Sequence, residues 1–166
     1  NMIGPLSNPA LVTRQVIGVF DKKLLKIFAE GLKNLDIKFA WIVNSEDGLD
    51  EISPYAKTNV MQLKEGHISE IIIDPKSLNV NAEKFENLIG DDAKFNAEKM
   101  TDIFKGKDND FSKAVCLNAA AGLIVGEKFL KFSEAYNHAR EHILSGKTFQ
   151  HLEKIQNVRK YTRKNN

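Results

Sequence analysis

Cysteine occurs once in 166 residues, tryptophan once and proline four times. A lone thiol cannot close a disulfide within the chain, so stability has to come from packing, and the expected setting is a reducing cytoplasm. Cys116 sits in the apolar stretch 114–125, where a small buried hydrophobe is its simplest role. No uncharged apolar run approaches the roughly 20 residues that cross a bilayer, and no membrane partner is expected. Neither charge sign dominates: 24 Lys and Arg against 22 Asp and Glu leave a formal net charge of +2. A dedicated nucleic-acid surface is therefore not expected. The exception is Arg159-Lys160-Tyr161-Thr162-Arg163-Lys164, which reads as a solvated basic tail at 159–166, with residues 1–158 forming one domain.

Apolar residues are spread along the whole chain, enough for a single core of ordinary size. Residues 16–20 are β-branched and apolar and predict a strand. Leu25, Phe28, Leu32 and Leu35 recur at helical spacing and predict a helix over 22–35. Residues 39–43 predict a second strand, so the two strands should be parallel neighbours joined by a helix. Residues 58–63 and 67–73, separated by Lys64-Glu65-Gly66, read as a hairpin. Beyond Asp74-Pro75 the pattern turns helical: 96–104 with Ala97, Met100 and Phe104 on one face, 111–125 as a buried Ala-rich helix, and 133–144 as an amphipathic helix stopping at Gly146. Phe132, Ala135, Ala139 and Ile143 are expected to face inward there. The fold class is α/β, a mixed sheet flanked by helices.

Gly48-Leu49-Asp50-Glu51 delivers two adjacent carboxylates just past the second predicted strand, after a turn-like stretch at 44–48. Taken alone, an Asp-Glu pair on a loop is usually solvated. Its place changes the reading: ligands bind outside the carboxyl ends of strands in open α/β sheets. Two hard oxygen donors there suit Mg²⁺, which completes its shell from water and substrate phosphates. A second signal is Gly4-Pro5-Leu6-Ser7-Asn8-Pro9-Ala10, a rigid turn that could receive a planar ligand or could simply be structural. Asn118, inside the predicted buried helix, either pins a loop or bonds back to its own helix.

Other patterns carry less. His138-Ala139-Arg140-Glu141-His142 matches the H-x-x-E-H of inverted zinc proteases, but no third ligand is apparent and a solvated helix face is expected. The region around Asp47 lacks the alternating ligands and closing Glu of an EF-hand. Neither G-x-x-x-x-G-K nor G-x-G-x-x-G occurs.

Together, GPLSNPA at 4–10, RQVIGVF at 14–20, DGLDEIS at 47–53 and LNAAAGL at 117–123 resemble anthranilate phosphoribosyltransferase, in the carboxyl-terminal part of its catalytic domain. The resemblance covers nearly the whole chain apart from the basic tail. It implies part of the nucleoside-phosphorylase/phosphoribosyltransferase catalytic fold. The implied reaction moves the phosphoribosyl group of phosphoribosyl pyrophosphate to the amine of anthranilate, in tryptophan biosynthesis, with two Mg²⁺ ions. Asp50 and Glu51 match the acidic pair that holds one of those ions. Gly4 and Pro5 match the turn lining the anthranilate channel. A homodimer is implied for the parent enzyme.

The resemblance also implies parts that this sequence does not contain: a glycine-rich pyrophosphate loop, a Lys-containing substrate segment, histidines along the anthranilate path, an arginine for its carboxylate and a small helical domain. The expectation is a fragment, by truncation, proteolysis or a split gene. Alone it should be inactive, bind Mg²⁺ weakly and tend to self-associate through an exposed apolar edge. The alternatives are a nucleoside phosphorylase-type glycosyl transferase and a non-catalytic remnant retained as a binding module.

Overall fold

Period-two alternation in one strand organises two cores. In β2 (Phe39–Ser45), every residue is buried, with Phe39, Trp41 and Val43 on one face of the sheet and Ala40 and Ile42 on the other. The computed structural model of the chain describes residues 4–164, and its sheet runs β1-β2-β3-β4. β1 (Arg14–Gly18) is parallel to β2, with Arg14 opposite Phe39 and Gly18 opposite Val43. β3 (Thr58–Lys64) and β4 (His67–Ile73) are antiparallel, as the hairpin expectation has it. Glu65 and Gly66 both take positive φ, 49° and 78°, matching the right-handed twist of a two-residue hairpin turn.

One face is covered by α1 (Leu24–Asn34), whose Leu25, Phe28 and Leu32 meet Ile17, Ala40, Ile42 and Leu63. On the other face, α3 (Asp110–Val125) packs Cys116, Leu117, Ala120 and Ala121 against Trp41, Val43 and Val60. Behind it lie α2 (Ala93–Phe104), α4 (Phe132–Leu144) and α5 (Lys147–Lys164). No described helix is long and apolar enough to cross a membrane.

The departures from the sequence reading have local causes. β1 starts at Arg14, two residues earlier than expected, because the Thr13 carbonyl already accepts the backbone N–H groups of Lys38 and Phe39. Phe20, expected inside that strand, is 71% exposed. β2 continues through Asn44 and Ser45, expected in a turn, because both buried polar side chains are satisfied: Asn44 Nδ2 donates to the Val19 carbonyl at 2.8 Å and Ser45 Oγ to the Lys57 carbonyl at 3.2 Å. In α2 the buried residue is Ile103 and Ala97 is exposed, since the helix is held by α4 and α5 near its carboxyl end. α5 goes beyond the elements expected from the sequence: Gly146 at φ 72° ends α4, and the mostly polar sequence after it carries only a thin apolar line, Phe149, Leu152 and Ile155. Its backbone runs through 159–164, where the basic tail was placed.

Candidate functional site

The parallel strands β1 and β2 end side by side, and the chain leaving β2 turns back over them. Ser45 N–H donates to the Leu49 carbonyl at 2.9 Å and Gly48 N–H to the Ser45 carbonyl at 3.0 Å, closing a turn in which Gly48 takes φ 92°. The Asp47 carboxylate is spent inside the loop, accepting from the Ser53 hydroxyl and from Leu49 N–H. Ser53 Oγ in turn accepts the Tyr55 and Ala56 N–H groups, and Ser53 N–H donates to Thr58 Oγ1 at 3.2 Å. Side-chain to backbone bonds of this kind give a long loop one shape.

That shape presses Asp50 onto β1. A Cβ added at Gly18 would lie 1.6 Å from the Asp50 carbonyl oxygen, so only glycine lets the two backbones meet. On the other side of Glu51, the Ile52 N–H donates to Asn118 Oδ1 at 2.9 Å, and Asn118 Nδ2 donates to the Ile52 carbonyl at 3.1 Å. The same Nδ2 also reaches the Ala114 carbonyl at 3.0 Å. Both readings of Asn118 are thus realised at once: it pins the loop and bonds back to its helix.

Asp50 and Glu51 line a cleft of about 380 Å³ with Val16, Gly18, Val43 and Asn118. No cationic side chain is among these lining residues. Protein packed around the Glu51 carboxyl raises it above the ordinary carboxylate range, and the neighbouring Asp50 charge raises it further. Two hard oxygen donors that repel one another across a cleft fit a divalent cation, which would relieve that repulsion. Among the described residues no group of three or more His, Cys, Asp or Glu side chains is arranged to hold a metal. A cation at the pair would therefore draw its remaining ligands from water or from a bound anion.

The second sequence signal lies elsewhere. Gly4 opens a short 3₁₀ turn, Gly4–Leu6, closed by Ser7 N–H on the Gly4 carbonyl at 3.2 Å. Leu6 rests 3.9 Å from where a Cβ on Gly31 of α1 would be. Pro5 lies in this turn, but its side chain is outside the described residues. Leu6 and Asn8 line a separate cleft of about 300 Å³ with Thr13, Gln15 and Ile37, at the amino-terminal end of β1. The turn and the acidic pair are thus not brought into one cleft. His138, Glu141 and His142 are exposed on α4, and His138 packs on the Phe129 ring at 5.0 Å, so the protease-like pattern forms no metal cluster. Gly18 is the site residue with the weakest motif signal, a single glycine inside a β-branched run, which is itself a sign of close backbone approach.

Residues 1–149 match the model of the glycosyl transferase family, a/b domain. The chain belongs to that family. Within it, the sequence is 79% identical over 158 residues to the anthranilate phosphoribosyltransferase of Pelagibacter ubique, covering 95% of this chain and 48% of that protein. The anthranilate phosphoribosyltransferase structure from Thermus thermophilus superposes with a TM-score of 0.83 at 28% identity, over 92% of this chain and 45% of that one. A Saccharomyces cerevisiae anthranilate phosphoribosyltransferase solved in complex with PRPP and Mg superposes with a TM-score of 0.79 at 23% identity, over 91% and 44% of the two chains, a likeness of fold alone. This glycosyl transferase chain spans about half the length of the curated relatives it matches.

Proposed function

We propose that the chain supplies the acidic, metal-holding part of an anthranilate phosphoribosyltransferase. The observation that carries this reading is the acidic pair, without a counter-charge, at a strand-end cleft in a chain so similar to a relative of that name. Asp50 and Glu51 would hold Mg²⁺, which when bound supplies stabilisation of the negative charge that grows as pyrophosphate departs. The chain's own contribution is to keep the two exposed carboxylates together at the cleft, with Gly18 leaving room for the Asp50 backbone. Gly4 and Pro5 are proposed to wall the path of the aromatic acceptor, from the far end of β1. Cytoplasmic location, a homodimeric complete enzyme and a separate basic tail at 159–166 belong to the same reading.

The cleft lacks the cations that would cradle a pyrophosphate, so the 166-residue chain is expected to show no turnover by itself. The test follows anthranilate fluorescence in the presence of phosphoribosyl pyrophosphate and Mg²⁺. The purified chain should consume no anthranilate. Mixed with a polypeptide covering the rest of the Pelagibacter ubique relative, it should restore consumption, and Asp50→Asn or Glu51→Gln should lower that rate by roughly 10²–10³-fold. Turnover by the chain alone, or a mixture indifferent to both substitutions, would overturn the proposal.

A further inference from the structure

We propose that Gly18 and Asn118 are positioning residues for a cation at Asp50 and Glu51, fixing the backbone on either side of Glu51 and so the spacing of the two carboxylates. The inference rests on the cation reading above and adds to it the residues that make the pair a site. Neither residue offers a ligand. Their effect is through the peptide units between which Glu51 is strung.

A carboxylate on a loop positions a cation only if the loop backbone is itself held. Here the three residues 50–52 are held at both ends. At the first end the Asp50 carbonyl is seated over the Cα of Gly18, in contact too close for any side chain. At the other end the Asn118 amide takes both backbone polar groups of one residue, and so the two peptide units that flank it, accepting from Ile52 N–H at 2.9 Å and donating to the Ile52 carbonyl at 3.1 Å. The third bond, to the Ala114 carbonyl, ties the amide to α3, so that both Nδ2 hydrogens and the Oδ1 are engaged. Ile52 itself is fully buried, which locks the same residue from its side-chain direction.

The chemistry requires these residue types. An Asp at 118 has no donor for the Ile52 carbonyl and would bring a third anion to the cleft, while a Leu would strand both Ile52 groups. An Ala at 18 forces the Asp50 carbonyl and β1 apart, and it removes no hydrogen-bonding group of its own, so the ¹⁵N spectra decide whether the strand pairing through Val19 N–H and the Val43 carbonyl is kept. The molecule also carries a counterpart of the same bonding pattern at a more exposed position. Asn96 holds Asp91 in the same reciprocal way, accepting from its N–H at 3.1 Å and donating to its carbonyl at 2.8 Å, but does not line the acidic cleft.

Mn²⁺ binding to the intact 166-residue chain, followed by water-proton relaxation alongside ¹⁵N spectra, tests the assignment. The wild-type chain should bind Mn²⁺ and lose it on Glu51→Gln. Gly18→Ala and Asn118→Leu should each weaken binding about tenfold or more, with amide shifts confined to the neighbourhood of 50–52, while Asn96→Ala leaves Mn²⁺ affinity unchanged. If Gly18→Ala and Asn118→Leu are folded by their spectra and bind as tightly as wild type, the positioning role is overturned while the cation reading stands. Equal weakening by Asn96→Ala would also overturn it, by reducing the effect to general stability. A wild-type chain that takes up no Mn²⁺ at millimolar metal, with or without added pyrophosphate, removes the cation reading, and the positioning role with it.

Discussion

Asp110 gathers more polar partners than any other carboxylate described above. Its Oδ2 accepts from Glu83 N–H at 2.9 Å, Asn87 Nδ2 at 2.8 Å and the Tyr55 hydroxyl at 3.1 Å, and its Oδ1 from Lys113 Nζ at 2.9 Å. Burial by itself would raise the Asp110 carboxyl, but Lys113, Asn87 and the Glu83 and Lys84 backbone N–H groups outweigh it and hold it far below the usual carboxylate range. Burial, and then the Asp110 charge, keeps the Tyr55 hydroxyl protonated well above its ordinary range. This one side chain ties the segment around Phe85 to the start of α3, so Asp110→Asn should cost about 2–3 kcal/mol. The pH dependence has a definite sign. A depressed carboxyl stabilises the fold above about pH 4, the unfolded value, and that contribution drains away as pH falls toward the folded one. Urea titrations at pH 7, 3 and 2 should therefore show the stability gap between wild type and Asp110→Asn narrowing only below about pH 4 and most strongly at pH 2. Parallel losses in the two proteins would remove Asp110 from the acid limb. Cys116 gives a second check at this scale: it is 1% exposed, and burial pushes its thiol up to about 11, with Arg140 opposing and Asp108 adding. Iodoacetamide at pH 8 should leave the native chain unlabelled and label it promptly in urea.

Among the elements, α3 carries the site from behind, and its start is fixed by a reciprocal cap. Asn109 accepts from Ser112 N–H at 2.9 Å while Ser112 Oγ accepts from Asn109 N–H at 3.0 Å. Asn109→Ala should lower thermal stability by about 1 kcal/mol without touching Mn²⁺ binding at Asp50 and Glu51, which calorimetry and relaxation can separate. The elements legible in the sequence are those whose side chains report one periodicity. Leu25, Phe28 and Leu32 mark α1, although Leu35 of the same pattern falls just past its end and is exposed; the fully apolar 39–43 marks the core of β2; and Lys64-Glu65-Gly66 marks the hairpin, with Lys64 still in β3. The loop between β2 and β3 was not legible in shape, although its acidic pair was. Its form depends on Asp47 finding Ser53, Ser53 finding Thr58, and Ile52 meeting an asparagine 66 residues away. None of those pairings has a period. α5 is hard to read for the opposite reason: its apolar line is only Phe149, Leu152 and Ile155, thin within an otherwise polar run.

For the whole molecule, the sheet has two unequal margins. β4 is a seven-residue antiparallel edge at the end of a hairpin, with His67, Ser69, Glu70 and Ile72 exposed to solvent. β1 is a short parallel edge whose only partner among the described residues is β2, and parallel strands are ordinarily covered on both sides. Its two ends are flanked by apolar side chains in water, Leu11 at 85% exposed and Phe20 at 71%. An unpaired ladder between exposed apolar groups is a template for another strand, and a second copy of the chain is the one always present in a pure solution. The apparent mass by light scattering should therefore climb above 18.7 kDa as concentration rises. Replacing Phe20 and Leu11 together by Lys should bring it back toward the monomer by adding repulsion at both ends of the edge, without removing any residue of either core. A mass fixed at the monomer value up to millimolar concentration would mean that β1 protects its own edge, and the tendency to self-associate would have to be abandoned.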